Sequence, residues 1–574
     1  MKQRKHRLLT ALAAVFLSVA VALTTALSGA AAAGEDGEAR GRPHTPSAQR
    51  IVAAMQPGWN VGNTLDAIPD ETSWGNPRIT PELLAAIHDQ GFNSIRLPVT
   101  WTDHQGGAPD YAIDPAFLDR VEEVVNLALD EGLYVLLNTH HDSWQWIWDM
   151  PSQHDQVLAR YTATWTQIAE RFRDAPRELL FESVNEPQFT GSSGDAQEYE
   201  LLDELNTSFH SIVRGTGGTN ATRVLVLPSL HTNADQVNLD PLADTIAALD
   251  DPNIAATVHS YGFWPFSVNI AGYTRFDAEV QADITGSFDR VHDTFVSQGI
   301  PVIVGEYGLL GFDKGLDTVE RGEMLKFFEF FGSHARQRQL TTMWWDNGQH
   351  FDRTAFTWRD PSLYRQIRSS WTTDSATASS DQIFVPAGQE PSDATLTLNL
   401  NGNRLTSVRN GSEKLVRGRD YTLSGDRLTV TGATLARLTE GQEYGVNATL
   451  TLRFDEGVPW DVNVITYDTP APQDATGTTS SLAIPTAFNG DRLATMEAVY
   501  ADGTNAGPHN WTSYKEFTTT FQPDYAAGRI TLTEAFFAET NDNSTINLTF
   551  HFWSGETVTY TLTRSGTTIT GTTT

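Results

Sequence analysis

The 574-residue sequence contains no cysteine, which excludes disulfides, thiolate metal sites and a cysteine nucleophile. It is poor in positive charge, with 39 Lys+Arg against 71 Asp+Glu and a formal net charge of -32. Phosphate binding wants a positive face, so neither nucleic acid nor an anionic membrane is expected as a partner. No GxGxxG or GxxxxGKS/T loop stands at a strand-to-helix junction, so no nucleotide and no other cofactor is expected. After Leu27 no apolar run approaches the length of a membrane span. Aromatic side chains, in contrast, are plentiful: 15 Trp, 15 Tyr and 28 Phe. With so few cations beside them, they suit a flat, neutral ligand such as a sugar.

The organisation follows from the order of textures. KQRKHR (residues 2–7), the apolar stretch Leu8 to Leu27 and the small-residue exit SGAAAAGEDGE form the three parts of a secretory signal peptide over residues 1–33, so a secreted, extracellular protein is expected. Residues 34–46 are polar and are expected to be a disordered lead-in. Residues 47–373 alternate short apolar runs with helical periods. The expected strands are Gly58–Asn63, Ser94–Val99, Tyr134–Asn138, Leu179–Val184, Val224–Pro228, Ala255–His259, Val302–Gly305 and Thr342–Trp345. Helices are expected over Pro81–Gln90, with Thr80 as cap, and over Pro115–Asp130. Eight such units predict an α/β fold, a (β/α)8 TIM barrel, with a doubly wound sheet as the rival. The Ser/Thr-rich stretch 374–384 reads as a linker. Beyond it, short alternating runs with Gly/Asn/Asp turns predict two all-β sandwich modules, 385–470 and 471–574.

The chemistry sits at the strand ends. The fourth run, LLFESVNEP, ends in Asn185–Glu186, and the seventh, IPVIVGEYG, ends in Glu306. In a barrel both glutamates emerge at one face, and a converging carboxyl pair is what glycoside hydrolysis requires: one protonates the leaving oxygen, the other attacks or activates water. Other ends add Asn60 and Asn63, Arg96, His140 and His141, His259 and Tyr261, and Trp344 and Trp345. Arginine at the rim is expected to hold a carboxylate ionised. An acid placed near that carboxylate is expected to have a raised pKa. A metal at His140–His141–Asp142 is not expected, since neighbours in a strand point to opposite faces.

These motifs (GWNVGNTLDA, SIRLPVTW, NTHHD, SVNEP, VHSY, VIVGEYG and WWDNG) resemble glycoside hydrolase family 5 over roughly residues 50–370, and the first and last point to its endo-β-1,4-glucanase and xyloglucanase subgroup. The resemblance implies Glu186 as acid/base and Glu306 as nucleophile of a retaining enzyme. It implies that Arg96, His140, Asn185, His259, Tyr261 and Trp345 surround the sugar, Trp344 being the alternative to Trp345. Asn63 and His141 are carried as further sugar contacts. Residues 385–470 resemble an immunoglobulin-like X2 module, and 471–574 resemble carbohydrate-binding module family 46. In the last, Trp511 lies in the polar loop GPHNWTSYK and is the candidate sugar contact, while Trp553 reads as core or contact with even weight. The expectation is a monomer acting on a β-glucan polysaccharide, an endoglucanase. The alternatives are a xyloglucanase, mixed-linkage glucanase or mannanase with the same machinery, or a non-catalytic sugar-binding protein.

Overall fold

The computed structural model describes residues 47–441 and 443–573; the expected signal peptide and lead-in lie outside them. Eight parallel strands close into a barrel: β1 Gly58–Asn60, β2 Ser94–Leu97, β3 Tyr134–Asn138, β4 Leu179–Glu182, β5 Leu225–Pro228, β6 Ile254–Ser260, β7 Val302–Tyr307 and β8 Thr341–Trp344. Closure pairs Gly58 with Ser94 on one side and with Met343 on the other. The strands are apolar runs because both faces are covered. The helix Ala48–Ala54 plugs one end, packing Ile51, Val52 and Met55 against Leu136, Leu180, Ile303 and Met343. Thr80 and Asp114 cap the helices Pro81–Asp89 and Pro115–Asp130, whose Pro residues at the first turn need no amide hydrogen. Among the described residues no helix is long and apolar enough to cross a membrane.

Two strands differ from expectation in ways that matter. β4 stops at Glu182, so Ser183–Pro187 leaves the ladder and turns, with Glu186 at φ 40°. β7 runs two residues beyond Gly305 and carries Glu306 within the strand. The β6–β7 register shifts between Val258 and His259, a bulge that re-aims the histidine.

The polar stretch 374–384 is not a free linker. Thr377–Ala378 pairs with Ala394–Asn399, Gln382–Pro386 pairs with Trp460–Tyr467, and Ala376 and Ala378 are buried. Both strands belong to the middle module, a sandwich of a four-stranded and a five-stranded sheet. The third module wraps one sheet, from Leu493–Tyr500 at one edge to Phe521–Asp524 at the other, around Met496, Phe521, Phe536, Phe550 and Tyr560. It also packs directly on the barrel: Phe517 N donates to Asn269 O, and Arg275 lies 4.9 Å over the Trp553 ring. Trp553 is therefore an interface residue, neither core nor an open sugar platform.

The seam between barrel and middle module buries acid. Glu329 accepts from Gln366 Nε2 and Ser375 N. Burial, the largest influence, pushes its pKa from 4.5 to about 7. Asp381 lies against Gly322 and is pushed up to about 8 by burial and by the neighbouring Glu320 carboxyl. Below about 4.5 Glu329 is protonated in both folded and unfolded chains; above about 7 it is ionised in both, and the folded chain bears the full desolvation. The seam therefore loses stability as pH rises through that window. We expect Glu329→Gln to raise Tm relative to the parent by a margin that widens between pH 4.5 and 7, at most about 3 kcal/mol in stability. A margin constant with pH would contradict this.

Candidate active site

The site is built on the C-terminal ends of the barrel strands, where polar side chains replace the apolar core. Arg96, on β2, is fully buried. Its Nε donates to Glu182 Oε2 at 2.8 Å, Nη1 to Glu306 Oε1 at 2.7 Å and to Asn60 Oδ1 at 3.1 Å, and Nη2 to Asn185 Oδ1 at 2.7 Å. Burial opposes its charge, but the charges of Glu182 and Glu306 outweigh it and push its pKa up. Asn60 is anchored in turn by donating to Gly305 O at 2.9 Å and to Met343 O at 3.1 Å. With Oδ1 of Asn185 committed to the guanidinium, its amide NH2 is the group left to donate to a ligand.

Glu306 accepts at both oxygens, from Arg96 and from Tyr261 Oη at 2.6 Å. Burial and the Glu306 charge raise the Tyr261 pKa well above its ordinary value, so the phenol remains a donor. His259 Nδ1 lies 2.8 Å from Glu186 Oε1 and 3.6 Å from Glu306 Oε2. Oxygens of Glu186 and Glu306 and a His259 nitrogen all fall within 4.8 Å of one another. Glu306 is buried, whereas 45% of the Glu186 side chain is open to solvent. Burial raises the Glu186 pKa, but the His259 hydrogen bond and the charges of His259 and Arg96 bring it below the ordinary value. The expected upward shift is thus reversed, because an imidazole stands between the two carboxyls.

His140 takes a hydrogen bond between Nδ1 and Asn138 Nδ2 at 3.1 Å. Burial and the positive charges of His141, Arg96 and His259 hold it well below the usual histidine range, hence neutral. Its ring lies parallel to Trp345, centroids 5.9 Å apart. Trp345 rests on Gly62, where a Cβ would sit 2.8 Å from the indole. Trp344, in contrast, is core, stacked on Trp358. Asn63 stands at the rim on a left-handed backbone, φ 55°, its carbonyl accepting from Asn76. His141 Nδ1 accepts the Trp144 indole N–H at 2.9 Å, so Nε2 carries the ring proton and faces Asp66 Oδ2 at 3.4 Å. That tautomer turns the His141 Nε2 proton, not a lone pair, toward the Asp66–His140–His141 group. Trp511 is not at the strand ends. It stands on the third module, 58% exposed, 6.4 Å from the ring of Trp264, which follows β6.

The family described as Cellulase (glycosyl hydrolase family 5) matches residues 60–351. The chain is 58% identical over 532 residues to Endoglucanase B of Paenibacillus lautus, covering 92% of this chain and 94% of that one. The chain belongs to glycoside hydrolase family 5. In this family-5 enzyme the two β modules match Carbohydrate binding domain X2 at 377–464 and a second Carbohydrate binding domain at 468–572. The three-module arrangement recurs in the tri-modular endo-beta-1,4-glucanase B of Bacillus halodurans, with TM-score 0.90, 51% identity and coverage of 92% of this chain and 100% of that one. It recurs also in a tri-modular subfamily-4 endo-beta-1,4-glucanase of Bacillus licheniformis complexed with cellotetraose (TM-score 0.78, 33% identity, 92% and 99% covered).

Sequence reasoning missed Glu182, Asn138 and Trp264. Glu182 carries a legible signal: an ionisable residue inside the apolar run LLFES, at a strand position facing the barrel interior. Trp264 has none, since its meaning comes from a module that folds back 250 residues later. We expect the Glu186 carboxyl, followed by 13C NMR titration, to titrate below 4.5 and to rise in His259→Ala, where the partner that lowers it is gone. An unchanged or lower value in the variant would contradict the arrangement.

Proposed function

We propose that this family-5 enzyme is a secreted, retaining endo-β-1,4-glucanase. The observation that carries the mechanism is the approach of Glu186 and Glu306 to within 4.8 Å, atom to atom. Retaining pairs hold their carboxyls about 5–5.5 Å apart, too close to seat a water between them. The relatives described as endo-beta-1,4-glucanases support the substrate, and the basic start with its apolar run supports export.

In the first step Glu306 attacks the anomeric carbon, and the glycosidic C–O bond breaks as its oxygen takes a proton from Glu186. Glu186 stands 2.8 Å from His259 Nδ1, which orients the carboxyl for that transfer. The guanidinium and the phenol on Glu306 aim the attacking oxygen; Tyr261 is poised to follow the charge as it leaves the carboxylate. In the second step Glu186 takes a proton from water, whose oxygen displaces Glu306 and regenerates the carboxylate. The neutral His140 and the amide of Asn185 are placed to hydrogen-bond the sugar, and Trp345 to stack on it. Two inversions leave the product with the substrate's β configuration.

The third module extends the same reading. Trp511, Trp264 and His509 cluster with centroids 5.9–6.4 Å apart at the barrel surface. Tethering a second sugar platform there raises its local concentration at the cleft. This favours long or branched β-glucans such as xyloglucan or mixed-linkage glucan over short oligosaccharides.

Proton NMR of early products should show the β-anomer first; an α-anomer would contradict the double displacement. Glu306→Ala should lose turnover and regain it with azide as an α-glycosyl azide, whereas Glu186→Ala should keep activity on aryl glycosides with good leaving groups and give the β-azide. The reverse pattern would exchange the roles. Trp511→Ala should raise KM on xyloglucan roughly 3- to 10-fold with little change on cellotetraose. Equal losses on both would make the tryptophan a structural residue.

A further inference from the structure

The loop that carries Trp511 is rigid within its own module. Lys515 is fully buried, and its Nζ donates to Pro508 O at 3.0 Å and to Thr512 O at 2.9 Å, drawing the two ends of the Pro508–Thr512 turn onto one ammonium. The chain then passes from Lys515, whose N donates to Met496 O, to Phe517. What places this loop over the barrel must act from outside the module.

Asn269 lies five residues beyond Trp264, just past the short helix Trp264–Ser267. It is 4% exposed and left-handed, φ 53°, a conformation that asparagine tolerates better than most residues. Its backbone carbonyl accepts from Phe517 N at 3.1 Å, at the end of the Trp511 loop. Its side-chain Nδ2 donates to Thr318 O of the barrel and to Ala494 O of the third module, both at 3.0 Å. One residue thus ties the segment bearing Trp264 to the loop bearing Trp511. Among the described residues the only other hydrogen bond from barrel to third module joins the Thr318 and Thr518 hydroxyls at 3.3 Å. Packing adds to these: Tyr514 over Gly272, Trp553 under the half-exposed Arg275, and the rings of His509 and Trp511 against Trp264.

We infer that Asn269 is the positioning residue that sets the third module on the barrel and brings Trp511 beside Trp264, and so determines how well the enzyme uses long or branched chains. This rests on the reading of Trp511 as a sugar contact. Two amide hydrogens meet two carbonyls in a buried seam. A carboxylate in their place would set oxygen against oxygen, each carbonyl losing its donor. The backbone bond to Phe517 would survive, so the substitution probes the side chain.

The test is Asn269→Asp in the full chain, with Asn269→Gly as the second variant, since glycine keeps the left-handed backbone and loses only the amide. KM and kcat are measured on xyloglucan and on an aryl cellotrioside, and small-angle scattering gives the maximum dimension. We expect KM on xyloglucan to rise roughly 5- to 10-fold, kcat on the aryl substrate to stay within about 2-fold, and the maximum dimension to increase. We also expect Asn269→Asp to add little in a Trp511→Ala background, because both changes remove the same contact. Parent-like KM and dimension in both variants overturn the inference, as does an equal loss on the two substrates, which would mark a fold defect. A larger maximum dimension with no change in KM, together with a silent Trp511→Ala, would instead sink the reading of Trp511 and leave Asn269 as the dock.

Discussion

One buried guanidinium organises the site. Arg96 has five N–H donors in a fixed plane, and four hydrogen bonds from them reach two carboxylates and two amides contributed by three different strand ends. A lysine ammonium has no such fork and does not replace it. Removing the arginine would leave Glu182 buried against a lost partner, a loss of the order of 3–5 kcal/mol for broken buried pairs. Because Glu306 and Asn185 hang on the same group, the orientations of that carboxylate and of that amide are set together. The barrel is the means by which residues 36 to 210 positions apart meet at that point.

The modules around the barrel repeat the same economy of anchors. The middle module sits on a seam of buried carboxyls, Glu329 and Asp381, and the third folds back onto the barrel through Asn269. The chain is therefore not a catalytic barrel trailing two tethered domains. Side chains far apart in sequence meet at this contact, Trp264 from the barrel and Trp511 from the third module. A module held in place avoids the entropy that a loose tether would have to overcome at each encounter.

The barrel was legible because eight short apolar runs alternate with helical periods and turn polar near their C-terminal ends, a local pattern that needs no knowledge of partners. The ring Arg96, His140, Glu186, His259, Tyr261 and Glu306 was legible for the same reason, as polar residues where a core would be apolar. What composition hides is anything decided by a distant neighbour. Residues 374–384 have the Ser/Thr content of a linker, yet pairing with strands far along the chain makes them part of a sheet. The Glu186 pKa moves opposite to expectation because a register shift in β6 delivers His259 to it. Trp553 divides evenly between core and contact on sequence alone, and the barrel's Arg275 decides it as neither. Asn269 sits in an ordinary loop whose meaning appears only when Ala494 is beside it.

In the proposed mechanism the anchored carboxylate, Glu306, is the one that attacks, while the more open one, Glu186, moves protons. The most direct measurement is to trap the intermediate with a 2-deoxy-2-fluoro cellobioside bearing a good leaving group and to map the adduct by peptide mass spectrometry. The account predicts one covalent glycosyl group per chain, on the peptide containing Glu306. A label on the Glu186 peptide, or turnover without any covalent adduct, would contradict it.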